Sequence, residues 1–233
     1  MIKSAIILAA GLGKRMLPLT NDTPKPMIEI NGKPMIKHLI DLLDHIGIEK
    51  ICVNVHYKAE IIVDYLQSLE SKKIIISDET NELLETGGGI KKAFNYLEDD
   101  HTFVFNSDIL WNKKHSLQLK SMSEKFQVEA MDAFLGLVPI DRLDGYDGVG
   151  DFCFLSNQII KRYDYGDAKS FVYSGVQIIK KHLANSLSES VFSVNKVWDI
   201  AIKSKSLFGF ILDHQIKHIG TPIMVERVNN EKN

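Results

Sequence analysis

Cysteine is almost missing from this chain. Only Cys52 and Cys153 occur in 233 residues, with no CxxC spacing, which excludes a disulfide framework and a thiolate zinc site. Each is expected to be a small buried hydrophobe. An excess of one charge is missing too. The 28 Lys and Arg stand against 30 Asp and Glu, a net charge of −2 with the signs interspersed, so neither a nucleic acid nor a membrane surface is expected as a partner. No run of apolar residues approaches the ~20 of a membrane span. The apolar opening from Met1 to Ala10 is too short for a secretory leader and leads directly into a glycine loop, so the expected location is the cytoplasm. Two common phosphate-binding signatures are also lacking. Met16 stands where G-x-G-x-x-G would have its third glycine, and G-x-x-x-x-G-K-[ST] does not occur.

What is present is a regular alternation of elements. The apolar run Ala5–Ala9 reads as a strand covered on both faces. Met35, Ile36, Leu39, Ile40, Leu42, Leu43 and Ile46 have helical spacing, and Gly47 suits the end of that helix. A strand at 51–55, a helix at 59–69, a strand at 74–76, a helix opened by Gly87-Gly88-Gly89 and a strand at 102–106 follow. This β-α-β-α-β-α-β order predicts an α/β fold with a doubly wound, mostly parallel, Rossmann-like sheet. Beyond residue 110 the alternation loosens to strands at 130–138, 171–179 and 208–212 with a helix at 193–203. The second half reads as a continuation of one sheet. A single domain over 1–225 with a polar tail at 226–233 is expected.

In such sheets ligands collect beyond the carboxyl ends of the strands, and the polar candidates fall there. Gly11-Leu12-Gly13 follows the first strand, then Lys14-Arg15, Pro18-Leu19-Thr20 and Pro24-Lys25-Pro26. Glycines admit phosphate oxygens to backbone N–H groups, and Arg15 and Lys25 add positive charge. Asp108 ends the strand Phe103–Asn106, as a metal ligand or as a cap of the next turn.

The string Leu8-Ala9-Ala10-Gly11-Leu12-Gly13-Lys14-Arg15-Met16, with Pro18-Leu19-Thr20 and Pro24-Lys25-Pro26, resembles the signature of the sugar-nucleotide pyrophosphorylases, nucleotidyltransferases that act on sugar 1-phosphates. Glu85–Ile90, Phe103–Asp108, Gly150-Asp151-Phe152, Tyr173–Val176 and Gly220-Thr221 extend it, so the resemblance runs from about residue 3 to about residue 221. Together the strings are similar to those of the short, single-domain N-acetylmuramate α-1-phosphate uridylyltransferases of cell-wall recycling. The resemblance implies the nucleotide-diphospho-sugar transferase fold, and it implies roles. Ala9, Ala10, Gly11 and Gly13 hold base, ribose and phosphates. Arg15 meets the outgoing pyrophosphate and Lys25 the α-phosphate or the sugar phosphate. Gly88 and its neighbours approach the base, Asp108 binds Mg²⁺, and Asp151, Ser174 and Gly175 lie near the sugar. The family usually has a second metal-binding aspartate two residues before a Gly-Thr pair, where this chain has His218. An imidazole suits Mn²⁺ better than Mg²⁺. His218 is therefore either a ligand of a retuned site or no ligand, with Asp213 as a candidate replacement. Longer members carry a C-terminal β-helix acyltransferase, which is not expected in a chain ending at Asn233.

The implied reaction is in-line attack of a sugar-phosphate oxygen on the α-phosphorus of a nucleoside triphosphate, UTP first, with release of pyrophosphate. Three other readings stay open: mannose 1-phosphate with GTP, a CTP-using transferase acting on a phosphorylated alcohol, and a catalytically weak binder of sugar nucleotides. The remaining seven histidines share no metal spacing, and Trp111 and Trp198 are expected to pack rather than to stack on a base.

Overall fold

A computed structural model of the chain describes residues 1–167 and 169–231. β1 (Ser4–Leu8) leads through the glycine loop to a small hairpin, β2 (Glu29–Ile30) and β3 (Lys33–Pro34). The βα units follow: α1 (Met35–Ile46), β4 (Lys50–Val55), α2 (Ala59–Ser68), β5 (Ile74–Asp78), α3 (Glu85–Ala93) and β6 (His101–Asn106). Next come α4 (Ser116–Lys125), β7 (Ala133–Pro139), β8 (Leu143–Asp144) and the hairpin of β9 (Phe152–Ser156) and β10 (Ile159–Arg162). The chain closes with β11 (Phe171–Lys180), α5 (Lys181–Ala184), α6 (Val194–Lys203), β12 (Leu207–Ile211), β13 (Ile216–Lys217) and α7 (Pro222–Asn230).

Nine strands form one sheet in the order β5-β4-β1-β6-β11-β7-β12-β10-β9. β5, β4, β1 and β6 are mutually parallel. β11 runs against β6 and β7, and β10 runs against β12 and β9. β7 and β12 are parallel to each other. Seven strands thus point one way and two, β11 and β10, the other, so the expected mostly parallel sheet is what forms. Ala5, Ile6 and Ile7 are fully inaccessible, because both faces of β1 are covered, and that is why its apolar run does not alternate.

Alternate residues of each strand feed opposite cores. Ala5, Ile7, Val53, Phe103 and Phe105 pack under α1, α2 and α4. Ile6, Cys52 and Val104 pack under α3, α5 and α6, with Phe94, Phe192 and Trp198. A third cluster, Met16, Ile28, Ile30, Met35, Ile219, Met224, Val225 and Val228, fastens α7 to the loop after β1. The polar tail expected from residue 226 is therefore helical as far as Asn230, with Val228 buried. Lys232 and Asn233 lie outside the described residues. Gly47 ends α1 at φ 88°, its N–H bonded back to the carbonyls of Asp44 and Leu43. No helix among the described residues is long and apolar enough to cross a membrane.

Candidate active site

β1, β4 and β6 all end at one rim, and a cleft of about 610 Å³ opens there. Its floor is the loop after β1: Ala9, Ala10, Gly11, Gly13 and Arg15 all line it, together with Lys25 and Asp108. The loop is folded back on itself. Gly13 takes φ +64°, and a Cβ there would lie 2.9 Å from the Thr20 methyl group, so only glycine fits. The Thr20 hydroxyl donates to the Gly13 carbonyl at 3.0 Å, and Tyr57 Oη donates to the Thr20 carbonyl at 2.8 Å. Met16 is fully buried in the third cluster and anchors the loop from beneath. Gly11 differs. A Cβ there would meet no atom of the protein within 4 Å, so its missing side chain leaves open room on the cleft side.

Charge gathers at the end of the cleft nearest β6. Pro24 and Pro26 are buried on either side of Lys25, and they aim its ammonium group at Asp108 Oδ2, 2.8 Å away. His218 Nε2 lies 3.3 Å from the same oxygen, and Nδ1 lies 3.4 Å from the Gly145 carbonyl. The backbone explains how a residue 110 positions later arrives there. Ile219 N–H donates to the Asp108 carbonyl at 2.8 Å, Leu110 N–H to the Lys217 carbonyl at 2.9 Å, and β13 pairs with β8. Burial pushes the Asp108 carboxyl up, but the hydrogen bond from His218 and the charge of Lys25 outweigh it and hold the group well below the usual carboxylate range. Its second oxygen, Oδ1, is buried with no hydrogen-bond partner. Arg15 is exposed on the cleft wall.

These groups also bear on a divalent metal. An ionised carboxylate with an orphaned buried oxygen, beside one imidazole, fits an ion that takes its other ligands from substrate phosphates and water. No cluster of three or more His, Cys, Asp or Glu able to enclose a metal alone occurs among the described residues. Asp213 does not substitute for the usual aspartate. It is 80% exposed and faces Arg142, with 3.9 Å between charged atoms, so the loop turns it away from Asp108.

Other expected residues sit behind the cleft rather than on it. Gly88 is buried, and a Cβ on it would fall 2.0 Å from the Ser190 carbonyl; close packing against the loop between α5 and α6 explains its lack of a side chain. Ser174 is inaccessible and donates to the Gly136 carbonyl at 2.8 Å. Gly175, at φ +84°, lies where β11 bulges out of register with β7, and a Cβ there would strike Ile109 at 2.6 Å. Gly175 thus packs closely under the turn that carries Asp108 and Ile109, while Ser174 ties β11 to β7. The Asp151 carboxylate accepts from Tyr173 N–H at 2.8 Å and Tyr146 Oη at 3.3 Å, tying the 145–150 loop to β11. Both cysteines are buried; burial and the nearby Glu79 charge push the Cys52 thiol up to about 12. Trp111 and Trp198 pack in the two main cores, as expected.

Among the cleft's lining residues, Glu85, Thr86 and Asn106 lie within the strings that carry the resemblance, whereas Asn54, Leu83 and Ser193 lie outside every string. Glu85 takes φ +60°, a left-handed conformation unusual for a residue with a side chain. Asn54 carries one readable signal, a polar residue near the carboxyl end of an otherwise apolar strand.

Comparison with known proteins agrees with this geometry. The sequence model of the family described as nucleotidyl transferase matches residues 4–161. The N-acetylmuramate alpha-1-phosphate uridylyltransferase of Caulobacter vibrioides is 34% identical over 224 residues, covering 94% of this chain and 93% of its own. The D-glycero-alpha-D-manno-heptose 1-phosphate guanylyltransferase of Aneurinibacillus thermoaerophilus is 29% identical over 221 residues, covering 94% and 93%. In fold, HddC from Yersinia pseudotuberculosis complexed with GMP-PN superposes with a TM-score of 0.75 over 99% of both chains at 24% identity.

Proposed function

We propose, because the chain belongs to the nucleotidyl transferase family that its motif strings predict, that it transfers a nucleoside monophosphate from UTP to a sugar 1-phosphate. N-acetylmuramic acid 1-phosphate is the first candidate acceptor, and pyrophosphate is the second product. The observation that carries this reading is the convergence of Lys25, Asp108 and His218 at one end of a glycine-floored cleft.

A phosphate monoester has its second pKa near ~6 and is mostly a dianion at neutral pH, so an acceptor phosphate oxygen attacks without a side-chain base. The difficulty is to hold two polyanions in line. The open space at Gly11 and the backbone of the 9–13 loop receive the triphosphate, with N–H groups as donors. Arg15, exposed on the same wall, meets the departing pyrophosphate. Lys25 leaves Asp108 for the α-phosphate or the acceptor phosphate, an exchange of one anion for another that keeps its charge paired. Asp108 and His218 would hold a divalent ion, Mg²⁺ or Mn²⁺, which supplies positive charge against the phosphate oxygens.

A pyrophosphate-release screen of UTP, GTP, CTP and ATP against a panel of sugar 1-phosphates, with Mg²⁺ and Mn²⁺ in parallel, tests this. UTP with N-acetylmuramic acid 1-phosphate should turn over fastest. Faster turnover of GTP with a mannose-type 1-phosphate would replace the substrate assignment with the one that the heptose relative suggests. No turnover with any pair would reject transfer.

A further inference from the structure

We propose that Glu79, acting through Asn54, is a positioning residue that locks the two walls of the nucleotide cleft in register. The inference rests on the nucleotide reading of the cleft and concerns a residue outside its lining. Glu79 follows β5 and is 1% exposed. Its Oε1 accepts from Asn54 Nδ2 at 2.8 Å, and its Oε2 faces the Leu84 N–H at 3.3 Å. Asn54 Oδ1 in turn accepts from Ala9 N–H at 2.6 Å. Ala9 begins the glycine loop, and Leu84 lies between Leu83 and Glu85 on the opposite wall. One carboxylate therefore reaches both walls, one of them through a single amide.

Hydrogen-bond polarity makes this chain directional. Both carboxylate oxygens act as acceptors, so Asn54 must turn its NH₂ toward Glu79 and its oxygen toward Ala9. The backbone of Glu79 is fixed as well, its N–H donating to the Val55 carbonyl at 2.8 Å and its carbonyl meeting His56 Nδ1 at 2.6 Å. A buried carboxylate is an expensive way to fill space, since an apolar residue of similar size often stabilises as well or better. Burial does push the Glu79 carboxyl up, with the hydrogen bonds from Asn54 and Leu84 opposing it. Gly89 supplies an independent observation. A Cβ there would lie 2.6 Å from Asn54 Nδ2 and 2.9 Å from Glu79 Oε1. The last glycine of the triplet thus keeps open the space in which this network forms.

The test exploits polarity. In Glu79→Gln one of the two oxygens becomes an NH₂ group. It faces either the Leu84 N–H, donor against donor, or Asn54, which must then flip and turn its own NH₂ to the Ala9 N–H. Asn54→Asp combined with Glu79→Gln reverses the donor and acceptor at their shared bond and restores every pairing. We expect Glu79→Gln to raise the KM for UTP about tenfold or more, the loss of one buried charge-assisted bond, and to weaken calorimetric UTP binding equally. The KM for the sugar phosphate should stay within about twofold, and the double variant should return UTP binding to within about threefold of wild type. A folded Glu79→Gln protein with wild-type UTP binding and only a lower Tm would overturn the proposal, as would a folded double variant no better than the single one. If Glu79→Gln does not fold, the double variant decides: recovered folding with recovered UTP binding supports the proposal, and anything less overturns it. Wild-type protein that binds UTP but transfers nothing would sink the transfer reading alone, while an active enzyme indifferent to Glu79→Gln would sink this one alone.

Discussion

Lys25 has little freedom to be anywhere but where it is, because buried prolines precede and follow it and fix the backbone on both sides. Its side chain is only 12% exposed and its ammonium group is paired. A positioned charge of this kind commonly contributes about 10²-fold or more to turnover. Lys25→Ala should therefore lower kcat by roughly 10²-fold with an unchanged far-UV circular dichroism spectrum; wild-type turnover would remove Lys25 from the mechanism. Asp108→Asn should abolish metal-dependent turnover while leaving the Tm within a few degrees of wild type. A variant that melts far lower yet stays active would make Asp108 a structural cap. Residues such as these were legible because their neighbours are distinctive: Pro-Lys-Pro, and an acid just past a buried strand. Glu79 and Asn54 were not, since a lone buried polar residue has many uses and only distances across three strands single this one out. Ser174 and Gly175 are buried and off the cleft lining although their string is one of those that carry the resemblance, because a string marks a stretch of chain, not the side on which each residue falls.

Elements show the same division. β1, β4, β5 and β6 were readable as apolar runs because both of their faces are covered. α4 was not, since Leu117 on it is 77% exposed and blurs the apolar stripe that marks a packed helix. The hairpin of β9 and β10, with Leu155 at 58% exposure, lacks a clear alternation for the same reason. The glycine loop and α3 are both glycine-rich, yet they use glycine oppositely, and this gives a paired prediction. Gly88→Ala forces a Cβ onto the Ser190 carbonyl. Overpacking of that kind costs about 1–3 kcal/mol, which for a chain of this size lowers Tm by roughly 2–12 °C. Gly11→Ala meets no protein atom, so its Tm should hold within about 1 °C while the KM for the nucleotide rises, because the methyl group enters room kept for substrate. Differential scanning calorimetry with initial-rate kinetics separates the two, and a large Tm loss in Gly11→Ala would refute the open-cradle reading. The start of α4 carries a buried titratable group. His115 is 2% exposed, and burial lowers its pKa from the ordinary 6.5, against bonds to the Gln215 and Asn112 carbonyls. The unfolded chain takes up this proton below about 6.5 and the folded chain does not, so acidification favours unfolding. Urea midpoints should fall between pH 7 and pH 5.5, and fall less in His115→Phe; equal slopes would clear His115 of the effect.

At the scale of the whole molecule, the site exists only when the chain is folded. Residues 8–16, 25–26, 54, 83, 85–86, 106–108 and 193 line it and His218 reaches Asp108, and no short piece contains more than part of the set. Ligand binding is therefore confined to the native state and must raise Tm by mass action. The donor set then predicts which ligand does so. Two carboxylates would neutralise a divalent ion, whereas Asp108 with a neutral imidazole leaves about one positive charge unmatched, and no cluster of three acidic, His or Cys ligands occurs among the described residues. The remaining charge is met by phosphate oxygens, so metal and nucleotide should arrive together. Millimolar Mg²⁺ or Mn²⁺ alone should shift Tm by no more than about 1 °C. UTP with either metal, at a hundred times its Kd, should add about 2.7 kcal/mol, or roughly 5–10 °C in a chain of this length. Mn²⁺ should serve at least as well as Mg²⁺, because it accepts nitrogen more readily. His218→Asp should make Mg²⁺ alone stabilising, since it supplies the second carboxylate. If the metal alone already gives wild-type protein the full shift, or if His218→Asp is needed before UTP and metal give any, then His218 does not share a substrate-completed site with Asp108, and the chain binds its metal by some other set of oxygens or not at all.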